Sequence, residues 1–165
     1  MTDQPVARPG LVVVDIDGVV ADVRHRLVHI ERSPKDWAAF FAGMADDPLL
    51  PEGAALVQEA ARTRDVVWLT GRPARYADVT TDWLRAHGLP TAPVHHRADG
   101  DRRPASVVKT DVVRRLARAA RVDVVVDDDP LVCAALESAG FRVLRATWAP
   151  DAPGLRRAQE GEGRT

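Results

Sequence analysis

The chain has 165 residues, 45% of them hydrophobic and 28% charged, with a net charge of −1. That length suits one domain with its own core, and the near-neutral balance excludes the global basic field of a typical nucleic-acid binder. No run reaches the length of a membrane span, and a single cysteine, Cys133, excludes an intrachain disulfide and suits a reducing cytoplasm.

Residues 1–10 are polar with two prolines and read as a flexible start, not a signal peptide. Leu11-Val12-Val13-Val14 is a continuous aliphatic run, as expected of a strand buried on both faces of a parallel sheet, and it ends on Asp15-Ile16-Asp17-Gly18. Residues 19–34 are mixed and read as a loop or flap. Ser33-Pro34 before Lys35-Asp36-Trp37 has the pattern of an N-cap with proline at the first helical position. Trp37, Phe40 and Phe41 share a face of that helix, as packing, and Asp46-Asp47-Pro48 stops it. A helix over Ala54–Arg64 is expected next, then a strand over Val66–Leu69 closing on Thr70-Gly71-Arg72-Pro73. A helix over Ala74–His87 follows, with Gly88 as its C-cap. A short strand at Ala92–His95 leads through a polar loop, His96 to Pro104, into an Arg-rich amphipathic helix over 105–120 with Val108, Val112, Leu116 and Ala119 inward. A strand over Val122–Val126 ends on Asp127-Asp128-Asp129-Pro130. A helix over 131–139 and a strand over Arg142–Arg145 complete the alternation, and the tail after Pro150 reads as frayed.

Alternating strands and helices predict an α/β fold: a doubly wound three-layer parallel sheet with at most a small helical cap. The expected domain spans 11–148, with 19–50 as flap and cap insert and 149–165 as a flexible tail.

Three strand ends carry the chemistry: Asp15 and Asp17, Thr70-Gly71-Arg72, and Asp127 with Asp128. Ligands of parallel sheets bind beyond the carboxyl ends of the strands, so these groups converge if the strands are neighbours. Clustered carboxylates suit Mg²⁺, which prefers hard oxygens, and phosphate is the ligand such a metal bridges to. Thr70 and the amides of its turn can donate to phosphoryl oxygens, Arg72 can pair with them bidentately, and Lys109 can add a compact charge. Asp127 to Asp129 also reads as a turn and N-cap into Pro130. His25, His29, His95 and His96 flank the crevice without an assigned role, and Trp148 reads as packing. No Gly-x-x-x-x-Gly-Lys-Ser/Thr is present, so no P-loop kinase lies in this chain.

Taken in order, the four motifs resemble the haloacid dehalogenase (HAD) superfamily of phosphohydrolases over roughly residues 11–148. Within it the chain is most similar to the phosphatase domain of polynucleotide kinase–phosphatases. Thr70-Gly71-Arg72 resembles that group's Ser-Gly-Arg. Arg26 stands nine residues after Asp17, where the group has a phosphate-contacting arginine. Arg97-Ala98-Asp99-Gly100-Asp101, ahead of Lys109, resembles its Arg-x-x-Gly-Asp segment. Ala105 replaces the acid often found four residues before the lysine, and Val19 the usual threonine.

The resemblance implies a HAD-like Rossmannoid fold with Asp15 as nucleophile, giving an aspartyl-phosphate. It implies Asp17 as general acid and base, with a pKa raised from about 3.9 by burial beside other acids. Mg²⁺ would be held by the Asp15 carboxylate, the Asp17 carbonyl and Asp128, with Asp127 direct or through water. Thr70 and Lys109 would hold the phosphoryl group, and Arg26, Gly71, Arg72 and Arg97 would bind substrate, with Arg102 and Arg103 extending the path. The implied function is a Mg²⁺-dependent cytoplasmic phosphatase acting on the 3′-phosphate of DNA or RNA ends in nucleic-acid repair. A nucleotidase or small-molecule phosphatase, and a catalytically weak subunit that binds phosphorylated ends, remain open alternatives. Partners other than a phosphorylated nucleic-acid end or nucleotide, and the oligomeric state, are not legible in the sequence.

Overall fold

The computed structural model describes residues 9–163, so the expectations for residues 1–8 and 164–165 lie outside the described residues. One five-stranded parallel sheet has the order β3-β2-β1-β4-β5, with β1 at Leu11–Val14, β2 at Asp65–Pro73, β3 at Val94–Arg97, β4 at Val122–Asp127 and β5 at Val143–Arg145. The helices are α1 Val28–Glu31, α2 Trp37–Ala42, α3 Pro51–Ala60, α4 Ala77–Ala86, α5 Ala105–Ala119, α6 Pro130–Ser138 and α7 Pro153–Gly161. The fold is the expected doubly wound α/β arrangement. The chain winds outward from β1 to β3, then returns to place β4 on the other side of β1. This reversal makes the β1/β4 boundary a topological switch point, where ligands of such sheets bind.

Alternation along β1 divides the core. Val12 and Val14 pack with Val57, Trp83 and Leu84 of α3 and α4, while Leu11 and Val13 pack with Val112, Val113, Val132 and Leu136 of α5 and α6. A third cluster builds the cap from Val23, Leu27, Ile30, Phe40, Phe41 and Met44, and the aromatic stripe is packing, as expected.

Four local expectations are corrected. Asp36, not Ser33, caps α2: its carboxylate accepts from the Ala39 amide at 2.9 Å, whereas Ser33 lies too far ahead of the first free amides. On α5 the inward stripe is Ala105, Val108, Lys109, Val112, Val113 and, partly buried, Leu116, at spacings of three and four; Ala119 in the last turn is exposed. β2 continues through Thr70-Gly71-Arg72 to Pro73 instead of ending at Leu69. The tail is not frayed over its length, because Pro153 starts α7 and an apolar pair one turn apart, Leu155 and Ala158, is buried, Leu155 within the cap cluster. Among the described residues no helix is long and apolar enough to cross a membrane.

The approach of α3 to the loop after β1 is unusually close. A Cβ on Gly53 would lie 1.8 Å from the Val19 carbonyl oxygen, and that oxygen also accepts from Trp148 Nε1 at 2.8 Å. Gly53→Ala is therefore expected to cost about 1–3 kcal/mol of stability, as overpacked sites do. A urea midpoint matching that of the parent protein would show that the helix can retreat freely.

Candidate active site

Val14 pairs with Trp68 of β2 and Val126 of β4, so Asp15, the next residue, sits between the ends of both neighbours. Its amide donates to the Val126 carbonyl at 2.9 Å, and its Oδ1 accepts from the Ile16 amide at 2.8 Å. The chain then folds back, with the Ile16 carbonyl accepting from the Val19, Val20 and Ala21 amides. Gly18 makes this turn at φ +77°, and a Cβ there would stand 2.2 Å from Asp128 Oδ2, so only glycine lets the two loops meet.

Lys109 Nζ lies 2.8 Å from Asp15 Oδ2 and 2.7 Å from Asp127 Oδ2 and is buried between them. Burial opposes its charge, but the two carboxylates outweigh burial and hold the ammonium well above its ordinary range. The other Asp127 oxygen accepts from the Asp129 amide at 3.0 Å, while Asp129 Oδ1 caps α6 through the Leu131 amide at 2.8 Å. Asp127 thus serves the site and Asp129 the helix.

Asp15, Asp127 and Asp128 each bring a carboxylate oxygen to within 4.8 Å of the others. Against these three acids stands one ammonium, leaving two negative charges without a counterpart. Burial, with the charge of Asp127, pushes the Asp128 carboxyl up to about 7, against the opposing charges of Lys109 and, from α7, Arg156. Burial also raises Asp15, despite Lys109. A hard-oxygen donor set two charges short fits a divalent cation such as Mg²⁺.

Asp17 belongs to a second network, which balances. Arg72 Nε and Nη2 lie 3.0 and 2.6 Å from Asp17 Oδ1, and Arg26 Nη2 lies 3.1 Å from it. Both arginines also bind Asp47, at 2.8–2.9 Å, and His25 Nε2 is 2.8 Å from Asp47 Oδ1. Burial alone would raise the Asp17 carboxyl, but the charges and hydrogen bonds of Arg72 and Arg26 hold it at about 2. The expected rise for Asp17 is therefore reversed in the ligand-free site, because its neighbours are guanidiniums and not further acids. Asp47 escaped the sequence reading because Asp46-Asp47-Pro48 has the composition of a helix stop; its partners lie 21 to 25 residues away or more along the chain.

Thr70 and Arg72 lie in an irregular stretch of β2, from which Arg72 reaches Asp17 and Asp47. Leu69 pairs with His95 and Pro73 with Arg97, so β2 spends two more residues than β3 over the same stretch. Such a bulge re-aims side chains beside a site. Thr70 Oγ1 accepts from the Arg72 amide at 3.2 Å, and Gly71 lies between them, partly exposed. Arg97 is buried, and its Nη1 donates to the carbonyls of Asp101, Arg103 and Gly163, bracing the loop after β3. Arg103 is held by Asp101 and Asp111, and Arg102 is exposed. Where the resemblance has an acid, Ala105 is buried in the core. Glu160 of α7 accepts from the Ser106 amide and hydroxyl next to it, at 2.9 and 2.8 Å.

The family described as the phosphatase domain of polynucleotide kinase PNKP matches residues 9–148. The Pnkp1 chain of a Pnkp1/Rnl/Hen1 complex superposes with a TM-score of 0.72 at 18% identity over 91% of this chain and 50% of its own; a second such structure is described as an RNA repair complex. This chain thus spans about half the length of those Pnkp1 chains. A class C acid phosphatase from Bacillus anthracis with tungstate bound follows at TM-score 0.60 and 14% identity, covering 87% of this chain and 69% of its own. A haloacid dehalogenase-like hydrolase from Streptococcus pneumoniae gives 0.57 at 12%, covering 92% and 91%. No curated protein matches the chain significantly by sequence.

The carboxylate excess has a consequence for stability. Asp128 near 7 lies above its unfolded value of about 3.9, so the metal-free folded protein binds the extra proton and loses stability as pH rises between these values. Asp17 acts oppositely, but only as pH falls from about 4 towards 2. Mg²⁺ is expected to raise the Tm by about 3 °C or more near pH 8 and by less than half of that near pH 5.5, with Asp128→Asn abolishing most of the gain. Thermal scans with and without Mg²⁺ read this directly; equal gains at both pH values would contradict it.

Proposed function

This chain belongs to the family of polynucleotide kinase PNKP phosphatase domains, and we propose that it is a Mg²⁺-dependent phosphomonoesterase that removes the 3′-phosphate from DNA or RNA ends. The observation that carries this reading is a pair of buried donors. Arg26 Nη1 and Arg72 Nη1 have no acceptor, although the other guanidinium nitrogens of these side chains donate to Asp17 and Asp47. Buried unpaired guanidinium donors are costly, and phosphoryl oxygens are the acceptors such planar forks match.

Asp15 attacks phosphorus in line, forming an aspartyl-phosphate as the bond to the leaving oxygen breaks, and Asp17 delivers its proton to that oxygen. Water then attacks the phosphoryl group, the bond to Asp15 breaks, and Asp17 takes the proton back. Asp17 begins ionised, but a phosphate dianion that draws on Arg26 and Arg72 weakens their hold and adds a like charge; both raise its pKa, so that it takes up a proton from solvent before the leaving oxygen departs. Lys109 orients Asp15, favours its ionised form against the effect of burial and, with Thr70, steadies the transferring group. Mg²⁺, held by Asp15 and Asp128 with the Asp17 carbonyl and with Asp127 in support, would offset repulsion between these acids and the phosphate and polarise the phosphoryl oxygens.

The likeness to Pnkp1 in an RNA repair complex supports nucleic-acid ends as substrate, and the unpaired buried Cys133 is compatible with a reducing cytoplasm. The cavity beside Asp17 and Asp128, about 20 Å³, is smaller than any nucleoside and does not discriminate a strand end from a free nucleotide or other small ester. Phosphate release from a 3′-phosphorylated oligonucleotide, a 5′-phosphorylated one and free nucleotides, with and without EDTA, separates these readings.

Asp15→Asn should lower kcat/KM by at least about 10³-fold while the Tm stays near the parent value. Asp17→Asn should cost much less with an aryl phosphate, whose leaving group needs little protonation, than with an alkyl phosphate. Equal losses on the two esters would remove the proton-transfer role.

A further inference from the structure

The cavity on the Asp17 side of the site is closed by the C-terminal helix. It is lined by Asp17, Gly18, Arg24 and Asp128 on one side and by Arg156 and Gln159 of α7 on the other. Because Asp17 stands where the leaving oxygen must receive its proton, this is the side on which the leaving group lies. In about 20 Å³ of space a leaving group meets α7 at once.

Arg156 differs from the other arginines near the site. Arg26 and Arg72 are committed to Asp17 and Asp47, and Arg24 is fixed by both oxygens of Asp22. Arg156 is bound only through Nη2, to Asp151, whose side chain is 68% exposed. Such an exposed ion pair is weak and easily exchanged. Its Nε is shielded from solvent and has no hydrogen-bond partner, and its side chain is 23% exposed. Its charge is felt at Asp128. The helix is fixed independently by Leu155 in the cap cluster and by Glu160 on Ser106, so the arginine is not needed to dock it. The residue lies beyond the 9–148 span that matches the family.

We propose that Arg156 forms a second anion subsite on the leaving-group side, binding a phosphate one nucleotide step from the phosphate that is removed. This rests on the phosphatase reading and sharpens it: the preferred substrate carries two phosphates on one nucleoside unit, as the 3′ end of a strand does. A charge-assisted bond to a second phosphate predicts that the chain prefers a nucleoside 3′,5′-bisphosphate to the 3′-monophosphate.

The test compares kcat/KM on these two compounds, with Mg²⁺, for the parent protein, Arg156→Gln and Arg156→Lys. The parent should favour the bisphosphate about tenfold or more. Arg156→Gln should erase that preference while leaving the monophosphate within about twofold, and Arg156→Lys should retain part of it. Equal losses on both compounds would make Arg156 a structural residue, and no loss would leave it a solvated one; either overturns the proposal. A gain on both compounds after removal of residues 151–165 would make α7 an obstructing strap and overturn it as well. Calorimetric binding of the bisphosphate to Asp15→Asn protein, with and without Arg156→Gln, separates this inference from the function it rests on. If the parent hydrolyses neither compound, the phosphatase reading fails. A tenfold weaker binding caused by Arg156→Gln would still support the subsite, and unchanged binding would dismiss it.

Discussion

Lys109 stands between Asp15 and Asp127 at 2.8 and 2.7 Å, and that bridge ties the helix after β3 to the ends of β1 and β4. Without the ammonium, carboxylates crowded at the ends of adjacent parallel strands would repel one another in a poorly solvated crevice. With it, the cluster still carries two negative charges in excess, which suits a divalent cation rather than a second lysine. The geometry of the sheet creates this crowding, because parallel neighbours in register bring equivalent positions of β1 and β4 side by side.

The second network, of Asp17 and Asp47 with Arg26 and Arg72, solves a different problem. It anchors the cap to the sheet, since Arg26 and Asp47 belong to the cap insert, Arg72 to β2, and Trp83 Nε1 of α4 donates to the Asp47 carbonyl at 2.9 Å. It also holds Asp17 ionised through the charges and hydrogen bonds of Arg72 and Arg26. One balanced and one unbalanced network thus push neighbouring carboxyls in opposite directions, Asp17 down beside its guanidiniums and Asp15 and Asp128 up in the buried acid cluster.

The cap and the C-terminal helix share a core through Leu155, α7 further contacts α5 through Glu160, and Glu162, just past the end of α7, pairs with Lys35 ahead of α2. The tail is therefore built into the wall of the crevice. Loop and cap residues carry most of what is distinctive here, while the strands supply the shared catalytic frame, as is usual where a rigid sheet positions variable loops.

By itself the sequence determined the doubly wound fold, the strand that ends at Asp15, and the meeting of Asp15, Lys109, Asp127 and Asp128 at the strand ends. Each of these signals is local: an aliphatic run that ends on an acid reads the same wherever its neighbours lie. Tertiary structure alone decided the partners. Asp17 sits among arginines and not acids, Arg97 braces a loop through carbonyls, and Asp47 is the hub of a buried ion network. Likewise α7, whose charged composition reads as frayed, gains its order from Leu155 in the distant cap cluster and from Glu160 on Ser106. Electrostatic environment depends on distances through space, and residues 25 or 55 positions apart in the chain leave no periodic trace of their meeting.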